Sequence, residues 1–234
     1  MNEQTLSKRL ELVASFVPSG ARLADIGTDH AYLPVSLVLR GKIDFAIASD
    51  VVKGPYESAV RQIVQSNVSD KVEARLASGL ESLDGKDGIT AITICGMGGA
   101  LIADILDQGY AKNHLTGKER LILQPNVAGQ NVRTWLTNHT YGIIAEDIIE
   151  ENEKIYEVIV AQKEENPRKL DQDQLLFGPI LMQEPTAAFR KKWQQEKEKN
   201  NYIIQQLKKV SVDQSAKIAE LEETNKKIQE LIDK

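Results

Sequence analysis

Short apolar runs alternate along the chain with segments whose apolar residues recur every three or four positions. This alternation predicts repeated strand–helix units. Thr5 to Val17 reads as a first helix, with Leu6, Leu10, Val13 and Val17 on one face, Thr5 placed as its cap, and Pro18-Ser-Gly20 ending it. Arg22 to Ile26 reads as a short buried strand, and Gly27 is the sharp turn after it. From about His30 the pattern turns helical through Leu33, Leu37 and Val38, and Gly41 closes that helix. Ile43 to Ser49 is a second strand that ends in Asp50. A loop over Val51 to Pro55, a helix from about Tyr56 to Ser66, a strand from Val72 to Ala77 and a turn at Ser78-Gly79-Leu80 follow.

Ile89 to Cys95 is almost continuously apolar, the mark of a central parallel strand. It runs into Gly96-Met-Gly-Gly99, with a helix from about Ala100 to Gln108. Arg120 to Leu123 is a further strand, ending in Gln124-Pro-Asn126, and Asn131 to Asn138 is helical. Tyr141 to Ile149 and Ile155 to Gln162 read as a hairpin with Glu150 to Lys154 at its tip. The expected fold is α/β, a Rossmann-like sheet whose last pair is antiparallel, over residues 1–165.

Residues 166–234 differ in character. After an irregular link to Pro185, Phe189, Trp193, Glu196, Asn200, Ile203, Leu207 and Val210 fall at steps of three and four. Ile218, Leu221, Asn225, Ile228 and Ile232 do the same. With Ser211-Val-Asp213 as turn and cap, this is heptad spacing for an antiparallel coiled-coil hairpin.

Composition narrows the setting. No apolar run has the length of a membrane span, the first residues lack a basic region followed by an apolar block, and the single cysteine excludes an internal disulfide. A cytoplasmic protein is expected. The net charge of −5 by itself argues against a nucleic-acid partner. Its distribution qualifies that: from Asn166 onward there are 13 Lys+Arg against 11 Asp+Glu, a net of +2, and the remainder carries 16 against 23, a net of −7.

The candidate chemistry lies where strands end. Asp25 and Gly27 sit at the carboxyl end of the first strand, where open parallel sheets bind ligands. Asp25 reads as a turn-bracing residue or as a holder of a ligand amine, with the second favoured. Asp29 and His30 read either as a helix cap and a packed turn histidine or as functional groups. Asp50, some twenty residues beyond the turn, is placed to accept from ribose hydroxyls. Only the first glycine of a dinucleotide motif is present, and Asp29 would repel a pyrophosphate, so the acidic turn suits the sulfonium and ammonium of S-adenosylmethionine better than NAD. Ser78 and Gly79, and Gly96, Met97 and Gly98, follow the third and fourth strands as turns or as the open wall a nucleoside needs. The amides of Gln124-Pro125-Asn126 form a polar turn or a reader of a base edge. Cys95 reads as a core residue, and the three histidines and lone cysteine show no metal-ligand spacing. Arg190, Lys191 and Lys192 read by default as a solvated helix face.

Taken together, Asp25-Ile-Gly-Thr-Asp-His-Ala-Tyr-Leu-Pro34, Gly54-Pro55, Ile94-Cys-Gly-Met-Gly-Gly99 and Gln124-Pro-Asn126 resemble the bacterial tRNA adenine-22 N1-methyltransferases, the TrmK family. The resemblance runs through the whole chain. It implies a class I methyltransferase sheet of seven strands, S-adenosylmethionine as cofactor, S-adenosylhomocysteine as its product, no metal, and tRNA as partner. No obligatory protein partner is evident. Asp29 and Ala31 stand where further glycines are often found in class I enzymes. The resemblance also implies Asp29 as the carboxylate facing the adenine, Asn126 as the amide orienting it, Gln124 and Pro125 beside it, and Arg190 to Lys192 as a tRNA grip. Two alternatives remain at this stage: a class I methyltransferase acting on a small molecule or protein with the hairpin as a dimerisation device, and a non-catalytic nucleotide-sensing module.

Overall fold

The structure, a computed structural model, describes residues 5–210 and 212–233. Two compact units divide at Pro179, and each is considered by itself. In the first, the strands are β1 (Arg22–Ile26), β2 (Phe45–Asp50), β3 (Val72–Leu76), β4 (Ala91–Gly98), β5 (Arg120–Val127), β6 (Tyr141–Glu151) and β7 (Lys154–Lys163). They form one sheet in the order β3-β2-β1-β4-β5-β7-β6, with β7 antiparallel to both its neighbours and the rest parallel. The helices are α1 (Lys8–Phe16), α2 (Tyr32–Leu39), α3 (Lys53–Gln65), α4 (Gly99–Ala111), α5 (Gly129–Asn138) and α6 (Gln172–Phe177). Strand order reverses between β1 and β4, so the carboxyl ends of these strands border the crevice where such sheets take ligands.

The central strands are buried on both faces, as their unbroken apolar sequences require. One core holds Leu10, Val13, Leu37 and Ile63 from α1 to α3, and the other holds Ile102, Leu106, Val132 and Leu136 from α4 and α5. Element boundaries differ from the pattern for local reasons. The first helix starts at Lys8, because the hydroxyl of Ser7, not Thr5, accepts from the Leu10 N–H. The loop expected at Val51 to Pro55 is shorter, since α3 begins at Lys53 and Pro55 occupies its first turn, where a proline loses no hydrogen bond. β5 extends through Gln124-Pro-Asn126 to Val127, so these amides sit on a strand and not in a turn after it. The β6–β7 tip shrinks to Asn152 and Glu153, at φ 51° and 62°, the conformation of a two-residue hairpin turn.

The sequence boundary at 165/166 falls inside the first compact unit, because the link contains α6, capped at both donors by Asp171 and Gln174. Fully buried Arg133 of α5 explains this extension. Its guanidinium donates to Glu146 of β6 at 2.7 Å and to Glu157 of β7 at 3.2 Å, and also faces the carbonyls of Leu175 and Leu176.

The second unit is a helical hairpin of α7 (Ala187–Leu207) and α8 (Ser215–Ile232). Cross-helix bonds from Lys197 to Gln229 and from Asn200 to Asn225 fix it as antiparallel. Phe189, Trp193, Ile204, Ile228 and Leu231 are its buried apolar residues. Val210, expected on the seam, lies past the end of α7 and is exposed. Ser211 lies outside the described residues; Asp213 accepts from the Ser215 N–H at the start of α8.

Candidate active site

The turn after β1 is held from behind. Asp25 is buried, and its two oxygens accept from the hydroxyls of Thr28 at 2.6 Å and Thr93 at 2.7 Å. Burial pushes its carboxyl above the usual range, against the two hydroxyl bonds and the positive charge of Arg9, while the nearby Asp50 carboxylate adds to the rise. Bracing the turn is therefore an observed role of Asp25. Gly27 has φ +72°, and a Cβ there would lie 1.9 Å from Met97 Cε of β4. The two residues form one surface across the strand-order switch.

Beyond Gly27 the chain makes an unusual entry into α2. His30 and Ala31 are both left-handed, at φ 59° and 54°. Such residues cost about 1–3 kcal/mol each and collect at functional sites. The residue at the cap position of α2 is Ala31, with no side-chain cap bond, so Asp29 is not a helix cap. Asp29 projects into solvent, its side chain 76% exposed, and pairs only with His30 Nε2 at 3.2 Å among the described residues. His30 stacks on Tyr32.

Asp50 ends β2, and its Oδ1 accepts from the Val52 N–H at 2.8 Å. Its second oxygen accepts no hydrogen bond from the described residues. Ser78 is exposed just after β3, and Gly79 opens a short 3-10 turn. Gly96, Met97 and Gly98 lie on β4 itself, in its irregular last stretch against β5. Gly99, which opens α4, allows a close approach to backbone: a Cβ there would lie 2.0 Å from the carbonyl oxygen of Ala128.

On β5 the structure brings Gln124 and Asn126 together with Gly96, and adds a residue that the sequence pattern did not single out, Arg9 of α1. Arg9 Nη1 donates to Gln124 Oε1 at 2.6 Å, and the Gly96 N–H donates to the same oxygen at 3.1 Å. Gln124 Nε2 donates to Asn126 Oδ1 at 3.1 Å, and Asn126 Nδ2 donates to the Gly96 carbonyl at 2.7 Å. Gln124 is fully buried and Pro125 is buried too, so neither offers a ligand a surface, whereas Asn126 is exposed. Arg9 was legible only as a charge bordering the apolar face, three after Leu6 and four before Val13.

Among the described residues no hydrogen bond or ion pair joins Asp29 to Asn126; both border the sheet's carboxyl edge. Arg190 belongs to the hairpin unit and donates to the Ile232 carbonyl, tying the two helices together, while the Lys192 ammonium lies over the Trp193 ring. Cys95 is half-buried and packs against the core, and desolvation pushes its thiol well up, away from the thiolate form. The described residues contain no cluster of side chains that would hold a metal ion.

Comparisons with known proteins agree with this geometry. The family model for tRNA (adenine(22)-N(1))-methyltransferases, TrmK, matches residues 23–234. A Bacillus subtilis protein named tRNA (adenine(22)-N(1))-methyltransferase is 44% identical, covering 100% of this chain and 95% of that protein. The crystal structure of the B. subtilis m1A22 tRNA methyltransferase TrmK superposes with a TM-score of 0.90 at 43% identity, over 98% of this chain and 99% of that one. That of a Streptococcus pneumoniae putative tRNA (m1A22) methyltransferase, in complex with S-adenosyl-L-methionine, gives 0.89 at 43% identity over 97% and 100%. A sheet with an acidic, glycine-lined carboxyl edge and an amide-bearing fifth strand, matched over its whole length, places this chain in the TrmK family of tRNA (adenine(22)-N(1))-methyltransferases.

Proposed function

We propose that the chain transfers the methyl group of S-adenosylmethionine to N1 of adenosine 22 in tRNA, and that it does so in the cytoplasm. The observation that carries this reading is the full-length match to the B. subtilis enzyme, with its catalytic sheet and hairpin both covered. No helix among the described residues is long and apolar enough to cross a membrane.

The residues present fit a cationic nucleoside cofactor. Burial above all, and to a lesser degree the Asp50 carboxylate, disfavours the charge on Asp25, and a sulfonium or ammonium nearby offsets both. We assign the cofactor to Asp25, Gly27, His30, Asp50, Ser78, Gly79, Gly96, Met97 and Gly98. Asp50 takes the ribose hydroxyls through its second oxygen, Asp25 acts through its buried charge and by bracing the turn, and the glycine-bearing end of β4 leaves room for the nucleoside.

S-adenosylmethionine supplies an electrophilic methyl group on a cationic sulfur. As N1 of the adenine attacks, positive charge appears on the base, and the Asp29 carboxylate stabilises it and accepts from the N6 amino group. Asn126 orients the base through its amide. In a folded tRNA the Watson–Crick edge is covered, so the target base leaves its stack before reacting. The hairpin grips the tRNA body largely by shape, with Lys191 and Lys192 contributing charge and Arg190 holding the helices in register. Incubation of the protein with tRNA and methyl-labelled S-adenosylmethionine tests the reading. Label in tRNA supports it; label in a small molecule or protein, or cofactor binding without transfer, replaces it with one of the two alternatives.

A further inference from the structure

The bonds among Arg9, Gln124, Gly96 and Asn126 have a direction. A guanidinium can only donate, so the atom of Gln124 facing Arg9 must be Oε1. The Gly96 N–H on that same oxygen demands the same orientation. The other end of the amide is then Nε2, which can only donate, so Asn126 must turn Oδ1 toward it. Asn126 Nδ2 is left to face the Gly96 carbonyl, which can only accept. Every link is consistent, and the one charged member stands at the start. Gln124 is fully buried. Arg9 itself is held from another side by the Tyr156 ring of β7, whose centroid is 5.4 Å from its guanidinium carbon.

We propose that Arg9 is a positioning residue for methyl transfer: through Gln124, and together with the Gly96 backbone groups that favour the same orientation, it holds the way the exposed Asn126 amide faces. The proposal rests on the reading of Asn126 as the group that orients the adenine. The orientation matters chemically. The N6 amino group of adenine needs an acceptor, and the N1 lone pair must stay free to attack the methyl group. An Asn126 turned over would set its own amino group against N6 or donate a hydrogen bond to N1, opposing the reaction in either case. Arg9 thus links α1, which lies outside the strand–helix units of the sheet, to the reacting edge.

The test is a mutant cycle on the full chain: Arg9→Met, Asn126→Ala and the double variant, each measured for melting temperature, S-adenosylmethionine affinity and single-turnover methylation of tRNA. Gln124→Glu serves beside them, since it keeps an acceptor for Arg9 and Gly96 but removes the donor to Asn126. Arg9→Met is expected to bind cofactor within about threefold of wild type and to methylate roughly 10- to 100-fold more slowly, the scale of a lost charge-assisted hydrogen bond. Gln124→Glu is expected to be similarly slow. The double variant is expected to be no slower than Asn126→Ala alone, because Arg9 acts through Asn126. Losses that simply add, or Arg9→Met and Gln124→Glu near wild-type rate while Asn126→Ala is slow, overturn the role of Arg9. Asn126→Ala at wild-type rate overturns instead the reading of Asn126 on which the proposal rests.

Discussion

Asp29→Asn isolates the charge of Asp29 from its shape. The structure removes the competing structural role, since the cap position of α2 is Ala31, with no side-chain cap bond. What remains to lose in stability is one exposed pair with His30, worth about 1 kcal/mol or less, hence a melting shift below about 4 °C. The loss in rate is larger. Two unit charges about 4 Å apart interact by about 1 kcal/mol in bulk water and about 4 kcal/mol at an effective dielectric constant of 20. Asp29 faces water in the free protein, and a base seated over it excludes that water, so the interaction in the reacting complex lies in the upper half of this range. A loss of about 2.5–4 kcal/mol slows the chemical step roughly 70- to 1,000-fold. Single-turnover methylation with saturating protein reads that step without interference from product release. A variant that melts like wild type and methylates within threefold of its rate refutes the electrostatic role and leaves the base to Asn126.

Four further outcomes are expected. Asp50→Ala weakens S-adenosylmethionine by about 1.5–3 kcal/mol, roughly 10- to 150-fold in Kd by calorimetry, while tRNA binding is unchanged; equal cofactor affinity removes the ribose assignment. Gly99→Ala must move its Cβ or the Ala128 carbonyl by about 1 Å, from 2.0 Å to the 3.0 Å that real contacts require, and costs about 1–3 kcal/mol on chemical denaturation. Asp25→Asn is expected to change the pH dependence of stability. The folded state raises the Asp25 carboxyl, so wild type binds more protons when folded and loses stability as pH climbs from the ordinary carboxylate range to the raised value; urea melts across that window should show the variant gaining on wild type as pH rises, and parallel curves contradict this. A chain ending at Pro179 retains the complete sheet and should bind cofactor yet lose tRNA methylation; full activity without the hairpin refutes its role as the grip.

The strand–helix order was legible because central parallel strands must be apolar on both faces, and the runs at Arg22 to Ile26 and Ile89 to Cys95 leave little choice. The reversal at β7 was legible from two adjacent strand patterns joined by a short polar tip. The link after residue 165 was not. Its tie to the sheet runs through Arg133, a charged residue on a helix that sequence alone places at the surface, and only the convergence of Glu146 and Glu157 from two other strands accounts for its burial. The site divides in the same way. Asp25, Gly27, Asp50 and Asn126 could be placed at the sheet's carboxyl edge because each lies at or next to the end of a strand. The burial of Gln124, and the dependence of its orientation on Arg9, could not, since 115 residues separate the two and no local pattern records the pairing.

The central claim is a methyl group placed on N1 of one adenosine. The most direct measurement is to incubate the full chain with S-adenosylmethionine and two tRNA transcripts that differ only in A22→G, then digest each and map methylated nucleosides by mass spectrometry. The account predicts 1-methyladenosine at position 22 of the first transcript and none in the second. Methylation that persists in the A22→G transcript, or that appears at another atom or position, contradicts it.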